Sequence, residues 1–281
     1  MFYEKSLFSK HSGTINRMTD LEWLERISAA DVNATAQIRF VVKTPEFLLL
    51  LDREDDFVGI NWATPLKQDP NQLEITAMIE AFQAHQRTPR LEFIGECWSG
   101  LPDLLKGAGF KSEGGPQDIM IVTKETFQPV QADKVQSKFL EPNDPDSVFA
   151  AYLETQSRGF GYGSFETPTV EQISKLRDQI RLGRCAALGL LEGQAAGAGT
   201  ILGTDLCELQ GVTTLAKARR CGVAASLSSA LISNAFSRDR SAVFNSVPQA
   251  VWLSVEEDSA RACYTKIGFQ TIGSRLNYSL N

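Results

Sequence analysis

Residues 206–238, LCELQGVTTLAKARRCGVAASLSSALISNAFSR, constrain this chain more than any other stretch. The run from Leu206 through Val212 to Thr213 and Thr214 reads as a strand. A short basic turn of small residues follows, Lys217-Ala-Arg-Arg-Cys-Gly-Val-Ala224. Beyond it Ala224, Leu227, Leu231, Ala235 and Phe236 recur at three- and four-residue spacing, the pattern of a helix with one apolar face. A strand that enters a helix through such a turn makes an anion site. The first N–H groups of the helix have no partner within it, and the positive end of its dipole points the same way. Gly222 and Ala224 leave room for a phosphate to approach the backbone, and Arg219 and Arg220 add charge at the mouth.

The spacing Arg219-x-x-Gly222-x-Ala224 resembles the pyrophosphate loop of the GNAT superfamily of N-acetyltransferases, written there as Gln/Arg-x-x-Gly-x-Gly/Ala. Gly211-Val-Thr-Thr-Leu215 is similar to that family's preceding strand, with Ala216 where many members carry proline. A second resemblance lies downstream. The buried-strand pattern Val251-Trp-Leu-Ser-Val255 precedes Glu256-Glu-Asp-Ser-Ala-Arg-Ala-Cys-Tyr-Thr-Lys-Ile-Gly-Phe269. The family's second motif runs Asn-x-x-Ala-x-x-x-Tyr-x-Lys-x-Gly-Phe after a strand. Ser259 stands where asparagine is usual, and either residue can cap a helix start. Gly268 can end the helix in a left-handed conformation. Two motifs in the right order carry the resemblance over residues 137–281.

At 281 residues the chain is long enough for two domains, each with its own core. A net charge of −6 argues against a general nucleic-acid or anionic-membrane binder, though not against a local basic pocket. The start lacks a basic region followed by an apolar run, so no signal peptide is expected. No apolar run is long enough to span a bilayer. Five scattered cysteines without paired metal spacing fit reduced thiols and a cytoplasmic location. The two histidines, His11 and His85, give a metal site or a Ser–His–Asp triad little to build on, and no metal is expected.

The N-terminal half reads as mixed α/β. A helix is expected from Asp20, capped by Thr19 or Asp20, then a strand pair at Phe47–Leu51 and Phe57–Trp62, and a helix at Leu73–His85. A strand at Arg90–Gly95, a helix at Leu101–Ala108 and a strand at Asp118–Thr123 follow. Lys106-Gly-Ala-Gly-Phe110 echoes Lys266-Ile-Gly-Phe269, which points to an internal repeat. The reading is therefore an α/β chain of two GNAT-like domains in tandem, 1–130 and 137–281, joined by a linker at 128–135. In the first copy Thr64-Pro-Leu-Lys-Gln-Asp-Pro-Asn-Gln72 replaces the phosphate loop. Asp69 would repel a pyrophosphate and the prolines offer no N–H. Leu104 or Leu105 stands where Tyr264 stands in the second copy. The first domain is expected to be a degenerate copy that binds no cofactor.

In the second half the expected order is a strand at Ser137–Leu140, a helix at Pro145–Arg158 capped by Asp144, and a glycine–aromatic loop at Phe160–Phe165. A helix at Thr169–Leu182 and a hairpin at Cys185–Leu191 and Ala195–Leu202, turning at Glu192-Gly193, complete it. The resemblance implies transfer of an acetyl group from acetyl-CoA to a primary amine of a small molecule or peptide, by direct attack in a ternary complex. It implies that backbone groups of Val212, Thr213, Thr214 and Leu215 hold the pantetheine arm. The pyrophosphate would sit on Arg219 and on the amides of Arg220, Cys221, Gly222, Val223 and Ala224, with Ser226 and Ser259 as further candidates. Tyr264 matches the family's proton donor to the leaving thiolate, or is simply a packing aromatic. Glu208 is a candidate base or an outward-facing acid, with Gln210 on the same face, and Glu166 falls near the expected acceptor site. Cys221 has no histidine beside it in sequence and reads as a small helix-start residue. Two other readings stay open: a non-catalytic acyl-CoA-binding or regulatory protein, and a nucleotide-phosphate enzyme, for which no Gly-x-x-x-x-Gly-Lys-Ser/Thr exists. The sequence leaves monomer and homodimer equally open.

Overall fold

The computed structural model describes residues 18–67, 70–161, 167–237 and 247–280. The elements run α1 (Asp20–Ala36), β1 (Phe40–Lys43), β2 (Phe47–Leu51), β3 (Trp62–Pro65), α2 (Gln72–Ala84), β4 (Arg90–Ile94), α3 (Leu101–Gly107), β5 (Lys111–Ser112) and β6 (Gln117–Thr123). They continue β7 (Val135–Phe139), α4 (Asp146–Phe160), α5 (Val170–Arg181), β8 (Cys185–Leu191), β9 (Gln194–Gly203), β10 (Leu206–Thr214), α6 (Val223–Ser237), β11 (Ala250–Val255), α7 (Asp258–Lys266) and β12 (Gln270–Ser279). Among the described residues no helix is long and apolar enough to cross a membrane.

The chain divides into two compact units, Met1–Ile119 with Thr271–Asn281, and Met120–Gln270. The expected boundaries at 130 and 137 differ from this division in two respects. The last strand lies in the first unit, and β6 from Met120 on lies in the second. In the first unit the sheet order is β1-β2-β3-β4-β12, with β5 also on β12. Strand β12 runs antiparallel to β4, with Arg275 opposite Ile94 and Ser279 opposite Arg90. Phe47, Leu49, Ile75, Phe82, Leu91 and Leu105 are buried in its core together with Tyr278 of β12. In the second unit the order is β6-β11-β10-β9-β8-β7. Met120 and Val122 of β6 enter the core formed by Cys207, Leu209, Leu227, Leu231, Val251 and Leu253.

Most elements fall where propensity puts them, and the exceptions have local causes. The expected strand Phe57–Trp62 is a 3-10 turn, Val58–Ile60, before β3. The fully buried Asn61 side chain organises that loop: its Nδ2 donates to the carbonyls of Asp55 and Phe57, and its Oδ1 accepts from Asp52 N. Strand β1 was not foreseen because its exposure varies without alternation. Helix α1 starts with a Thr19–Glu22 capping box, as the sequence suggests, but continues to Ala36. Asp144 does not cap α4. Its carboxylate accepts from Lys138 Nζ and Glu141 N, and Pro145 takes the cap position. The Glu192-Gly193 turn forms as expected, with both residues at positive φ.

A chain of charges fixes β12 in the first unit. Arg275 donates to Glu92 at 2.7 Å and to Asp31 of α1 at 2.9 Å, and Arg90 bridges Glu92 at 3.0 Å and Glu113 at 2.8 Å. Burial pushes the Asp31 carboxyl up, and the Arg275 guanidinium opposes that shift. Removing one member of a buried pair leaves the other charge without compensation. Arg275→Ala should therefore lower the stability of the first unit by about 3 kcal/mol, read as a lower midpoint in urea. Deleting 271–281 should abolish its cooperative unfolding while leaving helical signal from the remainder.

Candidate functional site

The site is built on the parting of two parallel strands. Strand β10 pairs with β11 through Leu206↔Ala250, Cys207↔Val251 and Glu208↔Trp252, and the pairing ends there. Both strands continue, β10 to Thr214 and β11 to Val255. On its other edge β10 stays paired with β9 to Thr214↔Gly197, with an irregularity between Gln210 and Thr213 where Gly211 has φ 62°. Residues 209–214 thus carry main-chain groups toward β11 that no strand there takes up. An extended ligand with amide groups can pair with such an edge. Thr214 Oγ1 is buried in this region without a hydrogen-bond partner. Leu215 differs from its neighbours: its N–H donates to Ala196 O and its carbonyl accepts from Ala218 N.

Past β10 the chain makes a 3-10 turn, Ala216–Ala218, and enters α6 at Val223. Arg220 and Gly222 both have left-handed φ, 67° and 80°. A left-handed arginine is uncommon, and two left-handed residues this close turn the chain sharply just before α6. A Cβ on Gly222 would lie 2.8 Å from the Ala132 Cβ, so sterics as well as φ select glycine. The first N–H bonded back toward the helix is that of Ser226, to Gly222 O at 3.0 Å. Among the described residues the N–H groups of Arg220 to Ala225 find no acceptor. Arg219, Arg220 and Cys221 are exposed. Lys134, ion-paired with Glu192 at 2.7 Å, adds a cation close to Cys221. Cys221 itself directs its thiol to Arg219 O at 3.7 Å.

The first unit shows what a closed version of this corner looks like. There the Asn71 side chain accepts from Leu73 N and Glu74 N, and the Glu74 carboxylate accepts from Asn71 N. The orphan donors of α2 are taken by its own capping box. Asp69 lies outside the described residues.

Two serines of α6 bond main-chain groups of the segment before β7. Ser226 Oγ accepts from Ala132 N at 2.8 Å and Ser229 Oγ from Val130 N at 2.9 Å, which fastens the segment before β7 to α6. Ser226 is fully buried and its oxygen is committed to Ala132 N. Ser259 does not cap α7: it sits inside the helix, exposed, with its hydroxyl donating to Glu257 Oε2 at 3.4 Å, and Glu257 occupies the cap position.

Tyr264 lies on α7, half-buried against the core shared by α6, β10 and β11, with its ring edge-on to Phe269 at 5.6 Å. Burial pushes its phenol well above the ordinary tyrosine range, neighbouring Cys263 adds to that, and the Ser228 hydroxyl of α6 opposes it. The helix ends at Gly268, φ 99°, where a Cβ would lie 1.9 Å from Thr126 O. Phe269 N bonds to Tyr264 O, as Phe110 N bonds to Leu105 O in the first unit. Leu105, fully buried, is therefore the counterpart of Tyr264.

On the other face of β10, Glu208 is half-buried and accepts from Gln210 Nε2 at 3.2 Å. Gln156 of α4 donates to Gly211 O at 3.1 Å. Gln156 was not picked out from sequence, and Thr214 was picked only for its main-chain groups: polar side chains of an otherwise ordinary helix or strand carry no signal until the elements pack. The loop residues Tyr162 to Phe165, and Glu166, lie outside the described residues. Among the described residues no group of three or more His, Cys, Asp or Glu side chains is placed to hold a metal.

No protein-family model matches the chain, and no curated protein does. Solved structures match it. A GCN5-related N-acetyltransferase from Kribbella flavida is 17% identical with a TM-score of 0.70, over 91% of this chain and 95% of that one. One from Sphaerobacter thermophilus is 13% identical with a TM-score of 0.59, over 93% and 91%. A tandem GNAT protein from the clavulanic acid biosynthesis pathway is 12% identical with a TM-score of 0.59, over 94% and 95%. At such identities the likeness establishes the fold: this chain has a GNAT-like tandem fold.

The open corner of α6 yields a direct test. Ala224→Glu places a carboxylate in the first turn of the helix, where it suits the dipole and preserves the fold, yet competes with an incoming phosphate. Gly222→Glu fills the loop itself. Both should reduce acetyl-CoA affinity by at least about tenfold in calorimetric titration. Unchanged affinity in Ala224→Glu would remove the pyrophosphate from this corner.

Proposed function

We propose that this protein is an acyltransferase that moves an acetyl group from acetyl-CoA to a primary amine of a small molecule or peptide, within a ternary complex. The observation that carries this reading is the pairing of a strand split with an uncapped helix start directly after it. The split offers main-chain groups to an extended amide-bearing arm, and the helix start offers donors to a pyrophosphate. The buried Thr214 hydroxyl without a partner supports a polar ligand there.

The chemistry follows from the groups around the split. A neutral amine attacks the thioester carbon, forming an N–C bond while the electron pair moves to the carbonyl oxygen. Collapse re-forms the carbonyl and breaks the C–S bond. The Tyr264 O–H gives its proton to the departing sulfur. The surplus proton on nitrogen leaves to Glu208, directly or through water, and the phenolate regains a proton from solvent. Tyrosine is neutral at pH 7 even before burial raises its pKa, so the proton is present when needed. Glu208, oriented by Gln210, is an acceptor on the face opposite α6 and α7. The acceptor would enter from the α4 side.

The first unit is assigned no cofactor. Its corresponding helix start is self-capped and Leu105 replaces the tyrosine. The catalytic domain is assigned to the second half of the chain, and the first acts as its companion. The five thiols are free, which fits a cytoplasmic protein.

Titration with acetyl-CoA should give one site per chain. Two sites would overturn the silent first unit, and no binding would overturn the whole reading. With a panel of primary amines, Tyr264→Phe should lower kcat by roughly 10²–10⁴-fold with little change in KM for acetyl-CoA. Unchanged kcat would demote Tyr264 to a packing residue.

A further inference from the structure

Strand β10 changes register against β9 at the point where β11 has already left it. Gln210 lies opposite Thr200 and Thr213 opposite Ala198, so Gly211 and Val212 together oppose the single residue Gly199. One extra residue, led by a glycine at φ 62°, is a β-bulge of the glycine type. Side chains alternate along a strand, so the extra residue changes which of them share a face. Glu208, Gln210 and Thr213 pair with Leu202, Thr200 and Ala198, every second residue of β9, and therefore lie on one side of the sheet. That side is covered by α4, where Ala198 packs with Phe149 and Tyr152. Without the bulge Thr213 would stand on the α6 side, and Val212 and Thr214 would turn toward α4.

The last turns of α4 hold this bulge. Gln156 Nε2 donates to Gly211 O at 3.1 Å. A Cβ on Gly211 would lie 2.7 Å from that Nε2, and one on Gly159 would lie 2.0 Å from Thr213 Oγ1. Glycine at both positions therefore lets helix and strand close on each other. Gln156 and Gly159 are three residues apart and share a face of the helix. A bulge leaves its extra residue outside the ladder, and a main-chain carbonyl left there needs another partner. Gln156 is that partner for Gly211.

We propose that Gln156 is a positioning residue: by holding the Gly211 carbonyl it fixes the bulge, and with it the place of the donor's acyl end relative to Glu208. The inference rests on the acyltransferase reading above and deepens it. With the pyrophosphate on the α6 start and the arm running back along β10 from Leu215 to Val212, the acyl end reaches the bulge. Gln156 bonds the bulge and not the α6 start, so its loss leaves the phosphate anchor in place. What changes is where the reacting carbon stands relative to Glu208 and Gln210. A displacement of about 1 Å is enough to cost on the order of a hundredfold in rate. No bond is made or broken at Gln156 itself.

The test uses Gln156→Met, which keeps the length without the donor, and Gln156→Glu, whose carboxylate only accepts. Hydrogen exchange of the ligand-free proteins, read on peptides covering 207–214 and 223–237, reports the bulge without reference to any activity. Exchange at 207–214 should quicken while that at 223–237 stays as in wild type. Acetyl-CoA affinity should stay within about twofold, and kcat with the amine panel should fall by about 10- to 100-fold. Unchanged exchange at 207–214 would overturn the clamp. Faster exchange with unchanged kcat, or an affinity that falls as far as kcat, would overturn its part in catalysis. Loss of folding in both variants would make Gln156 a residue of the fold and overturn the proposal. A wild type that binds no acetyl-CoA would overturn the acyltransferase reading and the role of Gln156 in it, while the exchange result would still decide the clamp.

Discussion

The structure of the second unit depends on how far β10 and β11 stay paired. They share three residue pairs and then part after Glu208 and Trp252, while β9 holds the other edge of β10 as far as Thr214. A fully paired strand would have spent every main-chain group of residues 209–214. A strand loose on both edges would have had no fixed geometry. Half-pairing gives an edge that is rigid and still available. Every other feature of the site takes its position from that split. The α6 start lies at the end of one strand, Tyr264 follows the end of the other, and the Glu208 pair sits where they diverge.

The repeat makes the energetic logic visible, because the same corner occurs twice with different accounting. A helix start has four N–H groups without intrahelical partners, and something must take them. In α2 the Asn71–Glu74 box takes them, which stabilises the helix and closes it to anions. In α6 no side chain among the described residues does so, and Arg220 is held in a left-handed conformation besides. Both departures cost stability locally. Such costs persist where the surrounding structure compensates, and here the Ser226 and Ser229 clips and the apolar core under α6 do. The matched bonds Phe110 N to Leu105 O and Phe269 N to Tyr264 O show that the helices after β4 and β11 end alike. What distinguishes them is a hydroxyl on one and a methyl fork on the other.

Much of this was legible in the sequence, for physical reasons. Period-3.6 apolar patterns gave the helices, and Gly268 marked a left-handed helix end where a Cβ would meet Thr126 O. The Glu192-Gly193 turn was visible because its residues tolerate positive φ. The prolines before α2 set its approach apart from that of α6, and the structure starts α2 with a capping box. Features set by distant partners were not. Asn61 converts an expected strand into a turn by bonding three main-chain groups, and nothing in its neighbours announces that. Asp144 is drawn off its helix by Lys138. Ser226 and Ser228 look alike in the string SLSS and its surroundings, yet one bonds the backbone of a remote segment and the other has no hydrogen-bond partner.

The hardest feature to read was the destination of the two last strands. Sequential folding would leave β12 with the half of the chain that precedes it, and β6 with its own. Instead β12 pairs with β4, and β6 contributes Met120 and Val122 to the second core. Strand propensity says nothing about which edge a strand will join, since both offer the same main-chain groups. The deciding terms are side-chain ones. Arg275 finds Glu92 and Asp31 in the first unit, and Tyr278 stacks on Phe93 at 6.1 Å. A strand carrying that arginine into an apolar edge would bury an uncompensated charge, which costs far more than any pair of main-chain bonds returns. Neither unit is complete without residues from the far half of the sequence. The first unit is completed by a strand that the chain reaches only after the second, so its sheet cannot close until residues 271–281 are in place.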